Sequence, residues 1–163
     1  MNAFEEKDFC ELVSIDDDKD FRDFLKSTPR GLAFLPERYG GCNGLVMKAD
    51  AGDFAKWLRQ NKPDLNVELR TADRRLDLRS ADFWLPLALL ANDVAIQFYL
   101  NLVANYVYDR MRGALQGERA RVHLEVIYED KQEGLAKRFR YAGDLDGLQK
   151  VIKRFDLDKF MDK

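Results

Sequence analysis

A thiol and an imidazole are the first residues of this chain whose types could do chemistry together. Cys42 stands in the stretch ERYGGCNGL, residues 37–45, between a Gly-Gly and an Asn-Gly pair, and His123 is the one histidine. A cysteine nucleophile needs a base within hydrogen-bond reach. Strand alternation sets His123 on the face opposite Val122, Leu124 and Val126, together with Glu125 and Glu129, and so reads it as an exposed strand histidine. The next helix begins about ten residues after Cys42, too far for its N-terminus to lower the thiol's pKa. Cys42 and His123 are thus the catalytic candidates, but nothing in the sequence joins them. The glycines and Asn43 already suffice for a hairpin turn.

Acidic and basic groups come next. Asp16, Asp18 and Asp20 in SIDDDKDF have the spacing of the first three ligands of a helix-loop-helix calcium site. The position that needs glycine is Phe21, and the one that needs a bidentate Glu is Ser27. The acids are better read as complementing the start of a helix, and no metal or cofactor is expected. Arg70, Arg74, Arg75 and Arg79 cluster around one segment, and Lys137, Arg138 and Arg140 around another, KRFRY. Glu68, Asp73 and Asp77 interrupt the first group, so a salt-bridged surface is expected there rather than a nucleic-acid footprint. These seven residues are the candidates of an RNA-binding alternative.

A polar row marks the most apolar segment. Asp93, Gln97, Asn101 and Asn105 recur every four residues within FWLPLALLANDVAIQFYLNLVANYVY, residues 83–108. On a helix, that spacing makes a slowly winding stripe. Amides stand where Lys and Glu would ordinarily mark a solvated face. The stripe is the candidate partner-binding surface, with apolar flanks burying area and amides giving specificity; the alternative is a core helix whose amides bond its neighbours.

The elements that must carry these residues follow from periodicity. DFRDFLK from Asp20 and DFAKWLR from Asp53 repeat a pattern of acid, aromatic and leucine, each followed by a proline, and each reads as a short amphipathic helix. Strand-like stretches flank both, at Phe9–Ile15, Gly31–Glu37, Gly44–Ala49 and Leu65–Arg70. That order suits a ferredoxin-like βαββαβ unit over residues 1–72, with GGCNG as its central hairpin. Residues 73–163 should add the second arm of a hairpin spanning 65–80, a long apolar helix over about 83–113 capped by Ser80 or Asp82, a hairpin around KQEG, and a C-terminal amphipathic helix carrying Leu145, Leu148, Val151, Ile152 and Phe155. The class is α+β, and with no linker between the halves they are expected to pack as one body.

The totals bound the function. In 163 residues, 46% hydrophobic and 34% charged, a packed soluble fold is affordable. Polar groups such as Asp93 argue against a membrane span over 83–108. The first 23 residues hold nine Asp or Glu against Lys7, Lys19 and Arg22, an acidic edge suited to protein contact. Two cysteines without metal spacing, and an N-terminus without a basic and apolar leader, point to a reducing cytoplasm. No phosphate-binding loop, dinucleotide fingerprint or serine elbow is present. The expected function is a non-enzymatic protein-binding module, an accessory, adaptor or immunity-type protein acting on another protein or on itself as an oligomer. A small enzyme or ligand sensor with a pocket between the halves is the other class to weigh.

Overall fold

The segment expected to be one long helix divides into a strand and a helix. The computed structural model describes residues 9–14, 30–38, 44–48, 50–70, 72–76, 82–91, 93–112, 121–130 and 135–161. In chain order these give strands β1 (Phe9–Ser14), β2 (Leu32–Leu35), β3 (Glu37–Arg38) and β4 (Leu45–Lys48), helix α1 (Asp50–Asn61), and strands β5 (Val67–Leu69), β6 (Arg74–Leu76) and β7 (Phe83–Leu90). Helix α2 (Ile96–Met111), strands β8 (Val122–Asp130) and β9 (Leu135–Gly143), and helix α3 (Leu145–Met161) complete it.

Six strands form a mixed sheet in the order β1-β9-β8-β7-β2-β5, and β3-β4-β6 form a smaller one. The protein is α+β as its periodicities predict, but the ferredoxin-like arrangement is not what these strands build. β1 lies antiparallel on β9, β2 pairs with β5 and β7, and β4 belongs to the other sheet. Chain order specifies which elements exist, whereas burial decides which of them pair. β7, the most apolar strand, takes a central place between β2 and β8.

That placement explains why Phe83–Leu90 reads as a helix. A strand buried on both faces has no alternation to reveal it. Leu85, Ala88 and Leu90 face the main core, while Leu87 and Leu89 join Ala33, Leu35 and Ile127 in a second apolar cluster on the opposite face. Pro86, which cannot donate to a ladder, sits where the register shifts: Trp84 pairs with His123 and Leu87 with Glu125, one extra residue on β7. Asp82 does not cap a helix; it precedes this strand.

Among the described residues, the two arms of the hairpin expected over residues 65–80 do not pair with each other. β5 runs parallel to β2 and β6 parallel to β4, so the two arms enter different sheets. Its alternation is real, but each arm finds a better neighbour than the other. Near GGCNG, Glu37 pairs with Val46 and Arg38 with Leu45, antiparallel as a hairpin requires; residues 39–43 lie outside the described residues, as does the helix expected from Asp20. The β8–β9 hairpin and α3 match their periodicities, with Val122, Leu124, Val126 and Tyr128 in the main core alongside Leu148, Val151 and Ile152.

All three described helices bury against the same face of the six-stranded sheet. α1 begins with Asp50 and Asp53, whose charges suit a helix N-terminus, and inserts Phe54 and Leu58. Phe54 stands at the centre of an aromatic group, 4.7 Å from Tyr106, 5.5 Å from Phe34, 6.1 Å from Tyr99 and 6.2 Å from Trp57, ring centre to ring centre. Beside it, residues Gly31, Asn66, Ala91 and Asp93 knot three connections together. Asn66 O accepts from Leu32 N at 2.8 Å, Asp93 Oδ1 accepts from Gly31 N at 2.9 Å, and Gly31 O accepts from Ala91 N at 2.9 Å.

Two buried tyrosines make the core sensitive to alkali. Tyr99 Oη finds no hydrogen-bond partner among the described residues, and complete burial pushes its phenol far up. Burial, reinforced chiefly by Asp50, pushes Tyr106 up to about 12. A phenol that binds its proton more tightly when folded leaves stability unchanged below pH 10 and removes it as pH rises beyond that. The protein is thus expected to lose stability progressively as pH rises above 10, and its alkaline unfolding midpoint can be followed by circular dichroism. Tyr99→Phe should move that midpoint upward and add about 1 kcal/mol at neutral pH, because a buried hydroxyl with no partner is removed. An unchanged alkaline midpoint would count against the tyrosine account.

Candidate functional site

Two places on this fold gather residues of possible function, one on the sheet face away from the helices and one on the outer side of α2. The first follows from strand alternation. Since Val122 and Leu124 point into the main core, His123 and Glu125 must point to the other face. Parallel pairing then sets Trp84 beside His123, and the two rings stack at 3.8 Å with an interplanar angle of 1°. Asp82, just ahead of β7, reaches His123 Nε2 with Oδ2 at 3.0 Å and accepts from Arg121 N with Oδ1 at 3.1 Å.

One step along β8, the Glu125 carboxylate receives Arg138 from β9 through Nε and Nη2 and lies 3.5 Å from Arg140 Nε. Register places Arg140 directly opposite Glu125 and Arg138 opposite Ile127, so one acid meets a direct and a diagonal partner. His123 and Glu125 are each only 8% exposed, which corrects the expectation of a solvent-facing histidine and glutamate. The reason is the neighbour across the sheet: an indole covers the imidazole, and two guanidinium groups cover the carboxylate. Sequence alternation finds the face but carries no information about which side chain lies across it.

Chemically, an aspartate on an imidazole nitrogen is the orienting half of a proton relay. Here the same bonds tie the entry of β7 to β8, with Asp82 bridging the backbone before β8 and the ring on it. Cys42 lies outside the described residues, as do Asp16, Asp18 and Asp20. Among the described residues no three of His, Cys, Asp or Glu gather in a way that could hold a metal ion.

Three of the candidate arginines lie against carboxylates. Arg138 and Arg140 converge on Glu125, and Arg70 Nε is 3.4 Å from Glu68. Arg74 and Arg75 lie in β6 beside Val46 and Met47, Lys137 opposes Ser14 and Tyr128, and Arg79 is outside the described residues.

The second place is α2. Its inner face buries Tyr99, Leu100, Leu102, Val103, Ala104, Tyr106 and Val107. Of the polar row, Asp93 precedes the helix and holds Gly31 N, Gln97 is half-buried, and Asn101 and Asn105 are exposed. The exposed line does not follow the four-residue row. It runs Phe98, Asn101, Asn105, Tyr108 and Arg112, alternating steps of three and four, which keeps to one side of a helix better than repeated steps of four. Phe98 is 41% and Tyr108 58% exposed. Sequence reasoning missed both aromatics because it counted them with the apolar, buried side; the three-four spacing with Asn101 and Asn105 was the signal available.

No described helix is long and apolar enough to cross a membrane. In comparisons with known proteins, no family model, no curated protein and no solved structure matches the chain.

Proposed function

We propose that this chain is a non-enzymatic protein-binding module, of accessory, adaptor or immunity type and working in the cytoplasm, whose contact surface is the outer face of α2. The observation that carries this reading is the exposed line Phe98, Asn101, Asn105 and Tyr108, in which two aromatics flank two amides and no lysine or glutamate intervenes. A solvated helix face is ordinarily charged. Interface cores are enriched in aromatics and depleted of Lys and Glu, and amides among them fix register. Gln97 extends the same surface, while Asp93 serves it indirectly by fixing the loop into α2 against Gly31.

The enzyme alternative has one supporting observation, the Asp82–His123 bond. That bond is equally accounted for by closing β7 onto β8 beneath Trp84.

The test is photo-crosslinking in cells, with a benzophenone amino acid placed at Phe98, at Tyr108, and at the exposed α1 residue Gln60 as control. Protein adducts at 98 and 108, and none at 60, are expected. Equal labelling at all three positions would remove the reading.

A further inference from the structure

The exposed line on α2 has a symmetry that selects its partner. Phe98 and Tyr108 lie five residues either side of Val103, and Asn101 and Asn105 two residues either side. Reversing the helix therefore lays aromatic on aromatic and amide on amide. The spacing of three, four and three is that of the contact seam of paired helices, and in an antiparallel pair each first-type seam position meets a second-type position of its mate. Phe98 then meets Tyr108 of the other helix, and Asn101 meets Asn105. Such a two-fold contact uses one patch against itself, as an isologous interface must.

Building on the association reading above, we propose that the occupant of this face is a second copy of the same chain, with the two α2 helices antiparallel about an axis that crosses the exposed line midway between Asn101 and Asn105, at the level of the inward-facing Val103. Side-chain chemistry fits that orientation in detail. Asn side chains carry both donors and acceptors, so Asn101 and Asn105 satisfy each other across the seam. Phe98 and Tyr108 form an aromatic pair at each end, with the tyrosine hydroxyl left at the wet rim. Charge leans the same way, although Arg112 has Asp109 within 4.0 Å on its own helix. In a parallel pair Arg112, the next residue of the line and exposed, would face its own copy, whereas in the antiparallel pair it falls at the level of Val94, past the end of the seam. A seam of four layers on one 16-residue helix is smaller than a standard stable interface, so the dimer is of the weak, reversible class.

Light scattering over a concentration series should show the mass rise from the 19.0 kDa of one chain towards twice that value as the protein approaches about 1 mM. Phe98→Ser with Tyr108→Ser should hold it at one chain, circular dichroism confirming that the exposed substitutions leave the fold intact. Orientation is read by disulfide trapping in chains carrying Cys10→Ser and Cys42→Ser. Phe98→Cys and Tyr108→Cys chains, mixed and oxidised, should cross-link to each other, with neither cross-linking alone. The antiparallel pair sets the two copies of residue 98 roughly 15 Å apart along the axis at ~1.5 Å per residue, beyond disulfide reach.

Cross-links of each variant with itself would mean a parallel pair and overturn the proposal. So would a wild type that stays at 19.0 kDa throughout. In that second case, photo-crosslinks from 98 and 108 to a different protein would leave the association reading standing, and their absence would remove both.

Discussion

Phe54→Ala is expected to lower the free energy of unfolding by about 3–5 kcal/mol, the cost of emptying a fully enclosed aromatic site. Phe54 has no exposure and touches rings from three other places: Phe34 on β2, Trp57 on its own helix, and Tyr99 and Tyr106 on α2. Its removal withdraws dispersion contacts from both helices and the sheet at once, and the stiff neighbouring rings cannot collapse into the gap. Since a domain of this kind is stable by about 5–15 kcal/mol, the loss is a large fraction of the whole. Urea denaturation should show a much lower midpoint at unchanged slope. Phe54→Leu, which keeps most of the volume, should cost less than half as much. A Phe54→Ala change below about 1 kcal/mol would mean that the ring cluster is not what joins α1 to α2.

Gly31→Ala is the second large effect, and it acts through the backbone. Gly31 has φ +76°, and a Cβ there would lie 2.0 Å from Asn66 O, the atom that accepts from Leu32 N. An L-residue loses about 1–2 kcal/mol in that conformation, and the clash forces a shift that also breaks bonds to Asp93 and Ala91. Each buried group left without its partner adds about 1–3 kcal/mol. The expected outcome is a loss of at least about 3 kcal/mol, seen as a fall of ten degrees or so in melting temperature. Gly52→Ala is the control of opposite sign. Gly52 lies in α1 with nothing within 4 Å of the added carbon, and alanine there should stabilise by about 0.5–1 kcal/mol.

These two residues also mark what the sequence could and could not disclose. Phe54 is legible, because Phe54, Trp57 and Leu58 give α1 a clear inner face while Lys56, Arg59 and Gln60 give it an outer one. The β8–β9 hairpin and α3 are legible for the same reason: one side of each is apolar and the other polar. β7 is not, because a strand enclosed on both faces shows no period, and a short continuous apolar run followed by a true helix reads as one longer helix. Gly31 signals only a turn; that Asn66 crowds it from a distant loop is a fact of pairing between β2 and β5. Pairing is also what hides the burial of His123 and Glu125. Their alternation is visible in RVHLEVIYED, but Trp84 and Arg138 arrive from β7 and β9. The outer face of α2 was half visible: the amides stood out by type, and the aromatics beside them did not.

The placement of β1 sets the timetable of assembly. This strand, residues 9–14, has its ladder partner in residues 137–142, so its contacts close a loop of well over a hundred residues. During synthesis β1 leaves the ribosome early, with an open edge and no mate until β9 is made. β8 and β9 form a local hairpin within their own length and can present a finished edge as soon as they emerge. Docking of β1 therefore belongs to the last stage of folding, and the long loop it closes makes that stage slow. Until then an unpaired strand end, with the exposed Leu12 on it, is available to any extended chain nearby. Chains truncated before β9 are therefore expected to aggregate more readily than the full chain.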